Sequence, residues 1–308
     1  MKAAAKPSKW KQFTRQWDLQ SMVWPGIIFV FIFSYIPMYG VVMAFQQYDI
    51  FNGILKSPWV EFMNFKMFFQ APEFWNVMRN TIVISLLKLI ISFPAPILLA
   101  LMLNEIGNMA FKRFVQTVSY LPYFLSWVIV SGFVFSLLSV DNGTVNYLLE
   151  RFNLIQEPVN FLAVPEYFWS ILVSVNVWKE VGFASIVYLA AIAGVDPTMY
   201  EAASIDGASR FKQIYLITLP SIAPIIIIFM ILAIGNLLSA GFEDILLLGT
   251  NPILREYSDV IDTYVYRVGI LNARFSYATA VGLFKSVISV ILLVTANKIA
   301  RKADVSLW

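Results

Sequence analysis

Long apolar runs separated by short polar segments dominate this chain. A helix needs about 20 mostly apolar residues to cross the hydrocarbon core of a membrane, and six runs reach that length. The pattern predicts an all-α, polytopic membrane protein with six transmembrane helices. A single membrane domain is expected over residues 23–308, after a basic tail at 1–22. The predicted spans are 23–45, 81–103, 114–138, 168–194, 221–242 and 277–299.

The composition agrees with that class and excludes most enzymatic chemistry. The 308 residues are 59% hydrophobic and 13% charged, which is too apolar for a soluble domain. Cysteine and histidine are absent, so thiolate or imidazole metal sites and histidine-dependent triads are excluded. There is no glycine-rich phosphate loop ending in GK[ST]. We therefore expect no enzymatic activity and no cofactor or metal in this chain, and any ATP dependence must come from a partner.

Basic residues concentrate in the short segments on one side of the predicted spans. Twelve of the 22 lie on that side and seven on the other. Because positive charge marks the cytoplasmic side, both termini and the loop 195–220 are predicted to be cytoplasmic. The basic tail is interpreted as setting this topology, and no nucleic-acid binding is expected. The first span is too long for a signal-peptide core and should be retained. The twelve residues are Lys2, Lys6, Lys9, Lys11, Arg15, Lys112, Arg113, Arg210, Lys212, Lys298, Arg301 and Lys302.

The loop between spans four and five has helix signals of its own. Asp196-Pro197 is typical of a helix start, and Asp206-Gly207 should end that helix. Ser209 is a candidate N-cap for a second helix, which Leu219-Pro220 is expected to break before the next apolar run. The sequence thus predicts a helix, a tight turn and a helix, exposed between two spans and suited to contact with another protein.

The spacing of residues within this loop resembles the EAA loop of ABC importer permeases. Glu-Ala-Ala at 201–203 is followed by three residues, Gly207, nine residues and Ile-Thr-Leu-Pro at 217–220. In that family the loop is a coupling helix that docks on a separate ATP-hydrolysing subunit; an ordinary amphipathic loop is the alternative. The resemblance implies that Glu201 contacts donors on the partner and that Gly207 permits the turn. The implied coupling residues are Glu201, Ala202, Ala203, Asp206, Gly207, Leu219 and Pro220.

Four other segments are similar to bacterial permeases for complex saccharides, namely 35–49, 63–81, 111–132 and 262–293. The resemblance implies the fold of a type I ABC importer permease in the bacterial cytoplasmic membrane. It also implies a second, similar permease subunit, two ATP-binding subunits carrying ATP and Mg at the loop 195–220, and an extracytoplasmic solute-binding protein at the outer loops. The expected cargo is an oligosaccharide or polysaccharide fragment.

The first outer loop, 46–76, carries aromatic residues at helical spacing. This pattern predicts an amphipathic helix at the membrane interface, where aromatic rings are favoured. A landing surface for an extracytoplasmic partner is the alternative.

Polar and aromatic residues within the spans form a candidate substrate pathway. Asn176 and Lys179 share a helix face, and Lys179 should face inward because an ionisable group at mid-membrane costs at least about 2.5 kcal/mol. Asn236, Ser239 and Glu243 predict a polar stripe on the outer half of span five. Hydrogen bonding between helices would explain such residues equally well. The candidate pathway residues are Tyr120, Trp127, Asn176, Trp178, Lys179, Asn236 and Lys285.

Three lysines inside predicted spans, Lys88, Lys179 and Lys285, favour an anionic, uronate-bearing saccharide. Alternatively, Lys88 snorkels outward, or Glu180 or Glu243 neutralises one of the other two. The competing function is an ion-coupled secondary transporter without an ATPase partner. That function would need carboxylates at mid-membrane, and Glu180 is the only acidic candidate deep in a span.

Overall fold

The computed structural model describes residues 16–303 and 305–307, and most of them are helical. Five helices are long and apolar enough to cross a membrane, or six if one sharply bent pair counts as a single span. The first helix begins at Trp17, inside the predicted tail, whose basic residues Lys2, Lys6, Lys9, Lys11 and Arg15 lie outside the described residues. The longer helices, numbered in chain order, are α1 Trp17–Phe45, α2 Met63–Phe69, α3 Phe74–Glu105, α4 Met109–Phe124, α5 Trp127–Leu137, α6 Thr144–Arg151, α7 Pro165–Ala193, α8 Pro197–Ile205, α9 Arg210–Gly235, α10 Glu243–Leu248, α11 Ile261–Tyr266 and α12 Phe275–Ala300.

Three of the long helices contain a π turn that ends two residues before a proline. Proline cannot donate to the helix ladder, and its ring collides with the carbonyl four residues back. In a π turn the hydrogen bonds shift to the fifth residue back, as in the bond from the Leu219 N–H to the Ile214 carbonyl. The wider turn accommodates the ring, so the helix continues. The pairs are Phe31–Tyr35 with Pro37, Lys88–Ser92 with Pro94, and Ile214–Thr218 with Pro220.

The expected break at Leu219-Pro220 is therefore wrong. α9 runs without interruption from Arg210 to Gly235, so the second helix of the loop 195–220 and the fifth span are one helix. Ser209 occupies the N-cap position of α9, but its side chain makes no capping hydrogen bond.

Buried apolar clusters join the long helices. One cluster unites α3, α7 and α9 around Ile97, Tyr188 and Ile222, and Leu219 packs against it. Another joins α2, α11 and α12 around Phe68, Tyr264 and Tyr277. Because each cluster draws on at least three helices, the burial of apolar surface fixes their relative positions.

The predicted third span, 114–138, is broken rather than straight. α4 and α5 meet at an angle of 103°. Leu125 and Ser126 have extended backbone angles, and the Ser126 hydroxyl caps α5 by accepting a hydrogen bond from the Ile129 N–H (3.4 Å). Serine at an N-cap is a local start signal, but apolar residues on both sides hide it within a continuous hydrophobic run.

The fifth span ends earlier than the predicted residue 242. α9 stops at Gly235, and the Asn236 amide donates to the Leu232 carbonyl (3.1 Å). The chain then turns at Gly241, whose φ of +127° is accessible mainly to glycine. Glu243 begins the separate helix α10. Asn236, Ser239 and Glu243 therefore do not form the predicted polar stripe on one helix.

The outer loop 46–76 is part of the folded core. Its helix extends only over Met63–Phe69, and Phe68 is buried against Tyr264 and Tyr277. Asn64 holds the end of α1 by donating to the carbonyls of Ala44 (2.9 Å) and Gln46 (3.1 Å). The predicted amphipathic helix is thus shorter than its aromatic pattern indicated, and its inner face packs on protein.

Candidate functional site

The loop 195–220, called the coupling loop below, begins with the predicted capped helix. The Asp196 carboxylate accepts a hydrogen bond from the Thr198 N–H (2.9 Å), and Pro197 occupies the first helical turn. This hydrogen bond to the backbone lowers the pKa of Asp196 because it stabilises the charged form. The start of α8 is therefore encoded locally, by the residues that the sequence analysis identified.

The end of α8 is a Schellman motif centred on Gly207. The Ala208 N–H donates to the Ala203 carbonyl (2.8 Å), and the Gly207 N–H donates to the Ser204 carbonyl (3.1 Å). Gly207 has a φ of +74°, in the left-handed region that this motif requires. Asp206 is the exposed C-cap residue. The predicted turn at Asp206-Gly207 is confirmed.

Side-chain bonds that the sequence analysis missed attach α8 to neighbouring helices. The Tyr200 hydroxyl lies 2.9 Å from the Thr218 hydroxyl on α9. The Gln213 amide donates to the Ser204 hydroxyl (3.0 Å). These bonds join residues that are 18 and nine positions apart, so no local sequence pattern predicts them. They hold α8 in a fixed orientation relative to α9.

An ion pair ties the same loop to the end of α3. Arg210 Nη1 lies 2.9 Å from Glu105 Oε2, and the Arg210 side chain is largely exposed. A pair this exposed contributes at most about 1 kcal/mol to stability. Its main effect is to connect the coupling loop to α3, a second long helix.

The exposed surface of the coupling loop presents both charge and apolar area. Glu201 is exposed, and no other side chain within 16–303 and 305–307 pairs with its carboxylate. Ile205 and Phe211 are 87% and 85% exposed, and the sequence analysis did not select them. Ala202 is exposed beside Glu201, and Ala203 is half-buried. Leu219 and Pro220, by contrast, belong to α9, where Leu219 packs inward.

An open cavity of about 520 Å³ lies between α5, α7 and the segment 239–244; we call it the pathway cavity. It brings together Trp127 and Asn176, two of the predicted pathway residues. Asn176 is only 9% exposed, and its side chain has no hydrogen-bond partner among the residues that the structure describes. The remaining lining residues are Lys88, Glu180, Ser239, Ala240, Gly241, Phe242, Glu243 and Asp244.

A smaller recess of about 180 Å³ adjoins the pathway cavity and shares Lys88 with it. Asn236 lines this recess and not the pathway cavity, so the structure does not place it in one lining with Trp127 and Asn176. The buried hydroxyl of Ser85, also in the lining, has no hydrogen-bond partner in the described structure.

Lys179 is buried at the break between α4 and α5. Its ammonium donates to the Tyr123 carbonyl (2.9 Å) and lies 5.2 and 5.3 Å from the ring centres of Tyr123 and Trp127. The Phe183 ring stacks on Tyr123 at 3.9 Å. Lys179 thus faces inward as predicted, and its contacts hold the broken helix beside the cavity.

Tyr120 and Trp178 lie outside the cavity lining. Tyr120 ends the α-helical part of α4, where its backbone passes close to Gly182 of α7. Trp178 is half-exposed on a different face of α7 from Asn176.

The other two lysines inside spans pair with aspartates that the sequence analysis overlooked. Lys88 pairs with Asp244 and also donates to the Ala240 carbonyl (2.7 Å). Lys285 pairs with Asp262, so Glu243 is not its partner. Outward snorkelling of Lys88 is therefore wrong. The cost of an unpaired lysine in a span was the available signal for these partners, but their identity depends on the fold of the outer segments.

No group of three or more acidic, histidine or cysteine side chains suited to a metal occurs in the described ranges. The geometry instead combines an exposed helical loop at one end with a cavity lined by aromatic, amide and carboxyl groups. This combination fits transport driven by a partner protein.

Comparison with known proteins agrees with this geometry. Residues 92–305 match the family model described as "Binding-protein-dependent transport system inner membrane component". The chain is 44% identical over 302 residues to Protein LplB of Bacillus subtilis, covering 98% of this chain and 92% of LplB. It is 47% identical over 284 residues to the polygalacturonan/rhamnogalacturonan transport system permease protein YteP of the same organism, covering 92% and 88%.

Solved structures extend the likeness to three dimensions. A chain of a bacterial ABC transporter involved in the import of the acidic polysaccharide alginate superposes with a TM-score of 0.88 at 44% identity, covering 95% of this chain and 98% of that one. A chain of a bacterial alginate ABC transporter in complex with an alginate pentasaccharide-bound periplasmic protein gives 0.89 at 42%, covering 97% and 99%. The chain therefore belongs to the family of binding-protein-dependent transport system inner membrane components and is a multi-pass permease subunit of an ABC importer.

Proposed function

We propose that this subunit imports oligosaccharides or polysaccharide fragments, including uronate-containing ones, by coupling ATP hydrolysis on partner subunits to opening of the pathway cavity. The single observation that carries the coupling is the rigid, exposed helix α8. It is capped at both ends and bonded to α9 through Tyr200 and Gln213. A partner that moves α8 must therefore move α9 as well.

The cargo is inferred from relatives and from the cavity lining. YteP is described as a polygalacturonan/rhamnogalacturonan permease, and both related structures are of alginate importers. Saccharides need aromatic faces for their C–H surfaces together with fixed hydrogen-bonding groups. Trp127, Phe242, Asn176 and the carboxyl groups of the cavity supply both kinds of contact.

The assembly we propose contains three kinds of protein partner. A second permease subunit completes the pathway, and two ATP-binding subunits with Mg and ATP dock on the coupling loops. An extracytoplasmic solute-binding protein delivers the cargo at the outer loops. Both termini and the coupling loop face the cytoplasm, as the distribution of basic residues predicts.

At the coupling loop, Glu201 is the proposed polar contact, and Ile205 and Phe211 are the proposed apolar contacts. Apolar side chains exposed to this degree beside a charged residue are typical of a protein-binding surface. Ala202 and Ala203 permit close approach of the partner backbone.

Co-purification tests this proposal. This chain would be tagged and expressed with its permease and ATP-binding partners, and the ATPase recovered with it would be quantified. We expect Glu201→Lys to reduce recovery at least tenfold, because it reverses the charge at the proposed contact. Glu157→Lys makes the same charge change at an exposed residue of the outer loop and should leave recovery unchanged. Full recovery with Glu201→Lys would contradict the proposed docking contact.

A further inference from the structure

The charges that line the pathway cavity are predominantly negative. Lys88 is the only basic residue among the lining residues, and its ammonium is already occupied by Asp244 and the Ala240 carbonyl. Glu180 and Glu243 also line the cavity, and neither forms an ion pair within 16–303 and 305–307. Two carboxyl groups therefore face the cavity without a neutralising partner.

Uncharged groups in the same wall indicate a ligand. The Asn176 side chain is 9% exposed, lines the cavity and has no partner in the described structure. Because Asn176 lines the open cavity, its amide can hydrogen-bond a ligand that enters there. Trp127 and Phe242 add aromatic surface beside it.

The other two lysines offset this negative charge only in part, because the Lys179 ammonium keeps its positive charge in the neighbourhood of Glu180 without forming an ion pair with it. Lys285 is paired with Asp262 away from the cavity lining, and the Lys179 ammonium is bonded to the Tyr123 carbonyl behind Trp127. Carboxyl oxygens hydrogen-bond sugar hydroxyls readily, whereas they repel a uronate carboxylate. Three carboxyl groups, those of Glu180, Glu243 and Asp244, thus face two ammonium groups, those of Lys88 and Lys179, and the net negative charge favours hydroxyl groups over anions.

We propose that the pathway cavity of this subunit binds the uncharged, hydroxyl-bearing part of the saccharide through Glu180, Glu243 and Asn176, and that it discriminates against a carboxylate at this position. The proposal rests on the saccharide import described above.

The test compares trigalacturonate with its methyl ester, in which each carboxylate is replaced by an uncharged and slightly larger ester, as ligands of the complete transporter in detergent micelles. Binding would be measured by calorimetry without the solute-binding protein, so that only the membrane complex selects. Glu180→Gln and Glu243→Gln keep the side-chain shape and remove the charge. Because two like charges several ångströms apart repel appreciably in a partly buried site, each variant should shift the acid-to-ester affinity ratio toward the acid by roughly five- to thirtyfold.

Matched variants separate the possible outcomes. Glu157→Gln removes an exposed carboxylate outside the cavity and should leave the ratio unchanged. Asn176→Leu should weaken both probes together, because it removes a hydrogen-bonding group and no charge. If the acid-to-ester affinity ratio stayed within twofold of the wild-type value in both glutamine variants, the inference about the cavity would be overturned and the proposed saccharide import would not. Absence of binding in micelles, together with absence of ATP-dependent uptake of either probe by the wild-type complex in proteoliposomes supplied with its solute-binding protein, would overturn the saccharide function as well.

Discussion

At the scale of single residues, three residues on one face of α7 determine the shape of the broken third span. Lys179, Gly182 and Phe183 are three and four positions apart, so they point the same way. Lys179 bonds the Tyr123 carbonyl, Phe183 stacks on the Tyr123 ring, and Gly182 lets the backbone of Ser119 approach. A lysine that looks like a substrate ligand in the sequence thus has a structural task as well.

Gly182 provides a sharp test of this packing. A Cβ at this position would lie 2.0 Å from the Ser119 carbonyl oxygen, which is backbone and cannot rotate away. We expect Gly182→Ala to destabilise the protein by about 3 kcal/mol or more, the upper range for overpacking. Thermal unfolding of the purified protein, followed by tryptophan fluorescence, would measure the loss.

Gly132→Ala is the matched control. Gly132 lies in α5 with nothing within 4 Å of the ideal Cβ position. Alanine is favoured over glycine in a helix by up to about 1 kcal/mol, so the unfolding temperature should stay the same or rise. Equal effects of the two substitutions would refute the close approach of α4 to α7.

At the scale of elements, the Schellman motif makes the length of α8 depend on one residue. Gly207→Val should shorten or misdirect the end of α8, because a β-branched residue is a strong outlier at positive φ. We expect ATPase co-purification to fall several-fold. Gly207→Asn should retain most of it, since asparagine tolerates this conformation. If Gly207→Asn and Gly207→Val reduced ATPase co-purification equally, the backbone conformation at residue 207 would be unimportant for docking.

Elements with local signals were predictable from the sequence, and elements shaped by distant contacts were not. Asp196 and Gly207 determine both ends of α8 through neighbouring backbone groups, so spacing sufficed. The 103° break between α4 and α5 depends on contacts from α7, more than 50 residues away in the chain. The early end of α9 likewise accompanies a turn at Gly241 next to Asp244 and Lys88. The hydrophobicity of a sequence segment gives no information about such distant contacts.

At the scale of the whole molecule, the Lys88–Asp244 pair joins α3 to the outer segment after α9. The Asp244 side chain is only 5% exposed. Lys88→Met leaves this carboxylate buried without a partner, so we expect a loss of about 3–5 kcal/mol in the free energy of unfolding. The double variant Lys88→Met/Asp244→Leu should recover most of that loss, because it removes both charges.

The exposed Arg210–Glu105 pair is the reference for that measurement. Glu105→Gln should cost about 1 kcal/mol or less, as for other exposed pairs. If Lys88→Met lowered the free energy of unfolding no more than Glu105→Gln does, the Lys88–Asp244 pair would not be important for the stability of the fold.

The topology of the whole chain can be tested directly because the sequence contains no cysteine. Asn142→Cys and Ser209→Cys each place one thiol at an exposed position in a different loop. With a membrane-impermeant maleimide, we expect Asn142→Cys to react in intact spheroplasts and Ser209→Cys only after permeabilisation. The reverse pattern would invert the proposed orientation.

The unbroken course of α9 has a mechanical consequence. Its 26 residues form a rod about 39 Å long, anchored to α8 at one end and leading through Asn236 into the cavity wall at the other. A tilt of about 5° pivoting near one end would swing the other end by roughly 3 Å. The helix continues through the π turn before Pro220, so a small displacement of the coupling loop is carried along α9 to the segment that lines the pathway cavity.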